Sequence, residues 1–326
     1  MINITQENIY LDGFTKLLKI CLHKELKKAI EQKQVLKPKG GIEVDNLDSK
    51  DIECLKYLKQ NIGNIVNANI DKQKEFIKII KKDYPEISKE YNKNDEKPKI
   101  YQAVKYIFVD RGYEAKISTT AKDSIAYKLV ESLDLKTCHY CNRNYISYLR
   151  KDVNGKKQTR PQLDHFYPKA IYPFLACSFY NLIPCCTTCN HIKSDDDSYE
   201  KNIKSPYEID IEDFIFSYSL TNLDILNNKF QDYNKNINIV FDKKIEENEK
   251  CFQLEKLYKE HRDIVIELLV KKQYYPHDYI NELSGFGFSK DEIYRYLFCN
   301  YKEDENLHKR PLSKLIKDIS EELGLI

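Results

Sequence analysis

The sequence predicts an α+β fold, a mostly helical chain with a short strand-forming segment set into its middle. Three observations lead there. Apolar residues recur at helical spacing on both sides of the middle. The middle itself switches to short β-type runs around an Asn154-Gly155 turn, and six of the ten cysteines crowd between Cys138 and Cys189.

Taken in order, residues 13–33 place Phe14, Leu17, Leu18, Cys21, Leu22 and Leu26 on one helical face. A Gly40-Gly41 break follows, then helical patterns near 49–62 and 71–82. The polar stretch "YPEISKEYNKNDEKPK", 84–99, carries two prolines and reads as a loop. A helix over about 120–133 leads into Cys138. In the middle, "NYISYLR" (144–150) and "KKQTRPQLDHF" (156–166) flank the Asn-Gly turn. "NLIPC" is a short apolar run, and "TTCNHIKS" has good residues for a helix start. The expected order there is strand, hairpin, strand, loop, short strand, helix. Helical spacing returns after about residue 205, most clearly over 253–272 through Leu254, Leu257, Tyr258, His261, Ile264 and Leu268. A last helix is expected to start at Pro311 as its first residue and to bury Leu312, Leu315, Ile316 and Ile319. The chain therefore divides into an N-terminal helical region (1–134), a cysteine-rich core (135–205) and a C-terminal helical region (206–326).

Apolar residues make up 41% of the 326, enough for a packed core, and charged residues at 32% nearly balance to +2. Global charge thus names no partner. Local charge does: Lys136 to Lys193 holds nine Lys or Arg against Asp152 and Asp164, so a polyanion is drawn to the middle. No stretch approaches the roughly 20 apolar residues that span a bilayer, and the N-terminus lacks a secretory pattern, which points to a cytoplasmic protein. Its cysteines then read as thiols or metal ligands before disulfides. Cys21, Cys54, Cys251 and Cys299 stand singly and read as small core residues.

Cys138-x-x-Cys141 and Cys186-x-x-Cys189 form two knuckles separated by 44 residues, and four thiolates suit a tetrahedral structural Zn2+. Cys185 in place of Cys186, or His139 as a ligand, fits less well. Between the knuckles lie Asp164-His165, Asn181 and Asn190. Hydrolysis of a phosphodiester needs a base for water, which an imidazole supplies near neutral pH. It also needs a hard divalent ion against the phosphate. Such an ion, Mg2+ or Mn2+, wants the oxygens that Asp164 and Asn190 offer. Adjacent residues on a strand face opposite ways, so Asp164 and His165 converge only if the strand ends there. Asn181 is placed to orient His165. The acidic run Asp195-Asp196-Asp197 reads as solvated rather than as a second metal site.

The order Cys-x-x-Cys, Asp-His, Asn-Leu, Cys-x-x-Cys-Asn-x-x-Lys resembles the HNH, or ββα-metal, nuclease motif, over about 56 residues. The resemblance implies Asp164 and Asn190 as ligands of the catalytic ion, His165 as general base and Asn181 as the central Asn. It also implies Lys193 as a phosphate contact and Cys138, Cys141, Cys186 and Cys189 as the structural zinc set. Arg143, Lys156, Lys157, Arg160, Lys169 and His191 are the candidate nucleic-acid contacts. Where many members carry a Gly-Gly pair, this chain has the bulky "KAIYPFLACSFY". "LDHFYPKAIYPFLACSFYNLIP" and "ENLHKRPLSKL" further resemble HNH subunits of Septu-type and retron-associated anti-phage systems, which implies an SMC-like or ABC-type ATPase partner. A non-catalytic zinc-stapled nucleic-acid adaptor, or an HNH nuclease acting on RNA or tRNA, is the alternative. The 25 tyrosines are spread through the chain and read as half-buried packing residues.

Overall fold

The computed structural model describes residues 1–4, 11–37, 41–92, 94–119, 124–150, 159–222, 233–274 and 282–325. Helices dominate, with three two-stranded antiparallel sheets among the described residues, as an α+β chain should have. No described helix is long and apolar enough to cross a membrane.

Helix α1 (Leu11–Gln32) buries Phe14, Leu18, Leu22, Leu26 and Ala29, a stripe narrower than expected, since Leu17 is 53% exposed. The stripe packs on α2 (Ser49–Asn67). Strands β1 (Val35–Leu36) and β2 (Ile42–Val44) pair between the two helices. Asp48 starts α2 with a capping box: its carboxylate accepts the Asp51 amide at 2.8 Å while Asp51 accepts the Asp48 amide at 3.1 Å. Asn69 caps α3 (Ile70–Asp83) in the same way at one end.

The next helix escaped the sequence reading. Residues Lys99–Lys105 form α4, which continues as a π-helix over Tyr106–Ile117. It buries Ile107, Phe108, Val109, Gly112, Tyr113 and Ile117. The Ser118 amide donates to the Tyr113 carbonyl at 2.8 Å, an i→i+5 bond of the wider π turn. Gly112 is required here, because a Cβ would stand 2.5 Å from Cys177 Sγ. Through this contact the π-helix meets the loop that follows β3. Helix α5 (Ile125–Leu133) then delivers the chain to the first knuckle.

Strand β3 (Gln162–His165) pairs antiparallel with β4 (Leu182–Cys185), Asp164 opposite Ile183 and His165 opposite Leu182. Helix α6 (Thr187–Lys193) follows at once. The expected strand at 144–150 is reduced to two isolated bridges, Thr137 to Tyr145 and Leu149 to Thr159. The Asn154-Gly155 turn between its two halves lies outside the described residues. The bulky loop between β3 and β4 is packed rather than open: Phe174 and Leu175 are fully buried next to α4 and the π-helix, and Phe179 is buried next to α2 and edge-on to Phe14. Its apolar side chains thus join the core segment to the N-terminal region.

Beyond residue 205 the chain is not purely helical as expected. Strands β5 (Phe216–Leu220) and β6 (Ile237–Phe241) form a hairpin sheet whose inward Phe216, Ile237 and Ile239 are buried. A short α7 (Tyr233–Asn236) precedes β6, and α8 (Glu246–Phe252) follows it. The stretch 253–272 breaks into α9 (Leu254–Tyr258), a 3-10 turn and α10 (Arg262–Tyr274). The turn shifts the buried stripe to Val265, Ile266, Leu268 and Leu269 and leaves His261 and Ile264 half-buried. After α11 (Lys290–Phe298) comes α12 (Ser313–Glu322), which buries Leu315 and Ile319. Pro311 precedes that helix instead of opening it, because Leu312 takes the left-handed φ of 62° at the cap. Of the lone cysteines, Cys54 is buried, Cys21 and Cys251 are half-buried, and Cys299 is exposed at a helix end, against expectation.

The basic stretch 307–314 is docked on the first knuckle by Asn142. Asn142 Nδ2 donates to Thr137 Oγ1 at 3.0 Å and to the Leu307 carbonyl at 3.2 Å, and its Oδ1 accepts the Lys314 amide at 3.0 Å. Its own carbonyl accepts the Leu312 amide at 2.6 Å. Asn142 has a φ of 49°, which Asn tolerates better than most residues. Asn142→Ala should destabilise the protein by about 2–4 kcal/mol, through buried groups left unpaired and a strained backbone. Urea unfolding checks this, and a loss below about 1 kcal/mol would contradict the docking role.

Candidate functional site

Cys138 and Cys141 lie in the turn after α5, and Cys186 and Cys189 at the start of α6. All four are buried, and their sulfurs lie within 4.8 Å of one another, an arrangement that could hold a structural metal such as zinc. Cys186 is the N-cap of α6, and amide protons point at the sulfurs: Cys189 N at 3.5 Å from Cys186 Sγ, Arg143 N at 3.4 Å from Cys141 Sγ. Asn144 Nδ2 adds a contact at 3.4 Å to Cys186 Sγ. Hydrogen bonds from Cys138, Cys141 and Cys189 push Cys186 below the ordinary thiol range, while burial and the neighbouring sulfurs push Cys138 up. Cys185 sits on β4 opposite Gln162, away from the cluster. His139 turns its Nδ1 to the Ile2 carbonyl at 3.3 Å. Neither joins the four sulfurs.

A cleft of about 300 Å³ lies beside this cluster, lined by Asp164, His165, Lys169, Asn190 and His191 together with Tyr113 and Asp195. Five of the sequence candidates therefore meet in one place. Strand β3 ends at His165, which is how two neighbouring residues come to line the same cleft.

His165 is held from behind. Its Nε2 lies 3.1 Å from the Ala176 carbonyl, which can only accept, so Nε2 carries the proton and Nδ1 keeps its lone pair. Burial, with Lys169 nearby, pushes the imidazole down to about 3, so it is neutral across the neutral range. Tyr113 meets the ring edge-to-face at 4.3 Å. Asn181 does not touch the ring. Its Oδ1 accepts the Tyr167 amide at 2.7 Å, and its Nδ2 donates to the carbonyls of Tyr167 and Leu175, both at 3.1 Å. It thereby staples the two ends of the loop that presents the Ala176 carbonyl, an indirect form of the orienting role expected of it.

Asp164 is buried, and two groups fix it: Tyr140 Oη donates to Oδ2 at 2.6 Å and Lys193 Nζ to Oδ1 at 3.2 Å. Tyr140 lies between the two cysteines of the first knuckle and stacks on Phe252 at 4.3 Å. The cysteine cluster is thus one hydrogen bond away from the cleft's carboxylate. Lys193 corrects an expectation. It is fully buried, and its ammonium also donates to the His165 carbonyl at 2.9 Å, so it supports the cleft from beneath and cannot meet a phosphate. Asn190 donates from Nδ2 to Gln162 Oε1, which leaves its amide oxygen as the acceptor facing other ligands.

The remaining basic candidates divide. Lys169 is in the cleft, its Nζ 2.8 Å from Glu114 Oε1 and 4.8 Å from the Tyr113 ring centre. Arg143 is turned to the C-terminal region, where it donates to His261 at 2.9 Å and lies over Tyr258. Arg160 donates to the Pro161 carbonyl and Ser118 Oγ, beside a neighbouring groove. Lys156 and Lys157 lie outside the described residues. In the acidic run, Asp196 pairs with Lys201 and Asp197 accepts from Tyr172 Oη, while Asp195 lines the cleft. Tyr113, Tyr140 and Gln162 are the contributors that sequence reasoning missed. No local spacing marks them, since each reaches the site by a tertiary contact.

No protein-family model, curated protein or solved structure matches the chain. The functional reading rests on the geometry and on the motif.

Proposed function

We propose that the chain is a metal-dependent endonuclease of HNH type that hydrolyses phosphodiester bonds of DNA. The observation that carries this reading is the meeting of Asp164, His165 and Asn190 in one cleft, on an antiparallel strand pair and the helix that follows it. His165 acts as general base, taking the proton of an attacking water at Nδ1 while the Ala176 carbonyl keeps the proton on Nε2. Asp164 and Asn190 offer hard oxygen donors that suit Mg2+ or Mn2+: each Asp164 oxygen accepts one protein hydrogen bond and retains a lone pair. When bound, such an ion supplies positive charge against the phosphate and the leaving oxygen. The four cysteines are read as a zinc site whose work is structural, setting Asp164 through Tyr140. Service in an anti-phage system beside an SMC-like or ABC-type ATPase belongs to the same proposal and rests on the resemblance alone. The segment 307–314, which carries part of that resemblance, is used within the fold itself.

Supercoiled plasmid is the test substrate. Nicking or linearisation is expected with Mg2+ or Mn2+ and none with EDTA. Asn190→Ala should raise the Mg2+ concentration for half-maximal cutting by at least about ten-fold. Cutting of RNA alone would move the substrate, and metal-independent cutting would sink the assignment.

A further inference from the structure

A phosphate entering the cleft needs a cation to meet it, and Lys193, the residue one turn along α6 from Asn190, is sealed beneath. Among the side chains that line the cleft, Lys169 carries the permanent positive charge. It is 36% exposed and is held between two residues of the π-helix: its ammonium rests 4.8 Å from the centre of the Tyr113 ring and 2.8 Å from Glu114 Oε1. Tyr113 is itself buried and packs on His165, so one ring touches both the candidate base and the cation. Glu114 is 47% exposed. A water-exposed pair of this kind is weak, so a phosphodiester, whose single negative charge is shared by two non-bridging oxygens, can take the carboxylate's place on the ammonium.

We infer that Lys169 is the phosphate-binding cation of the cleft, that Tyr113 is its positioning residue, and that Glu114 is the group that the substrate phosphate displaces. This rests on the nuclease reading. The N-terminal region thereby contributes directly to substrate binding, and the π-helix is the device that sets Tyr113 and Glu114 side by side at the cleft. The atoms that change partner are few. The Lys169 ammonium leaves a carboxylate oxygen and donates to a phosphate oxygen, and Glu114 returns to water.

The test is the salt dependence of binding to a short fluorescent DNA duplex, with Ca2+ in place of Mg2+ and the full chain throughout. Lys169→Met should flatten the plot of log Kd against log salt by about 0.9, the signature of one lost phosphate contact, and Lys169→Arg should keep it. Glu114→Gln, at an exposed carboxylate, should tighten binding about two- to five-fold at low salt. Tyr113→Leu should mimic Lys169→Met, add nothing to it in the double variant, and be rescued by Tyr113→Phe. An unchanged slope in Lys169→Met, an unchanged affinity in Glu114→Gln, or a wild-type protein with no affinity for the duplex overturns the inference. A protein that shows the expected slopes but never cuts in Mg2+ would remove the nuclease reading and leave Lys169 as a phosphate contact.

Discussion

His165→Ala is expected to slow plasmid cutting by about a hundred- to ten-thousand-fold, the range that loss of a positioned general base produces. The expectation follows from its surroundings. The Ala176 carbonyl holds the proton on Nε2, and no described residue takes Nδ1. Burial keeps the ring neutral at neutral pH, so Nδ1 holds a lone pair there. The same surroundings say what should not change. The imidazole makes one protein hydrogen bond and one ring contact, so the variant should keep its cysteine-bound metal and its DNA affinity within about three-fold, a shift well under 1 kcal/mol. Single-turnover cutting measured beside binding separates the two. A variant that cuts at near the wild-type rate would remove His165 as the base, and one that loses binding and cutting together would make it structural.

The second large effect is expected from the four cysteines. Wild-type protein should contain about one zinc per chain, and its removal, or Cys189→Ser, should lower the melting temperature sharply and abolish cutting. A four-thiolate site contributes on the order of 10 kcal/mol to the state that forms it, more than most domains have in reserve. Activity is lost by a route that stability alone would not require. Tyr140 stands between Cys138 and Cys141, and its hydroxyl holds Asp164 Oδ2. A relaxed knuckle therefore releases the carboxylate that is proposed to hold the catalytic ion. Tyr140→Phe isolates that route: it keeps the ring on Phe252 and should keep the zinc, while the Mg2+ requirement rises. Zinc-free protein with an unchanged melting temperature would contradict the whole account of the cluster.

The parts legible in the sequence are those that local spacing fixes. The two knuckles were legible because a Cys-x-x-Cys turn is a complete local unit, and the structure brings all four sulfurs together. Asp164, His165 and Asn190 were legible for a related reason: strand β3 ends at the pair, and α6 starts where the second knuckle caps it. Lys193 was misread because three residues along a helix turns a side chain by about 60° in net rotation, enough to carry it from the cleft wall to the face packed on β3. Tyr140 and Tyr113 were not legible at all as site residues. Each reaches the cleft by a tertiary contact, Tyr140 to a residue 24 positions away and Tyr113 to His165 from a helix whose period is not the α-helical one. The β5–β6 hairpin was overlooked because a helical pattern follows it and dominated the reading of that region.

The docking of residues 307–314 on the knuckle has a consequence for how the protein is made. Asn142 finds its partners at Leu307 and Lys314, 165 and 172 positions later in the chain. A ribosome that has released the knuckle and the cleft residues has still to deliver the segment that braces them. The nascent chain can gather its four thiols early, but the turn that carries Tyr140 remains unbraced until residue 314 has left the exit tunnel. The brace is therefore one of the last contacts the chain can close, long after the knuckle that it holds has been made.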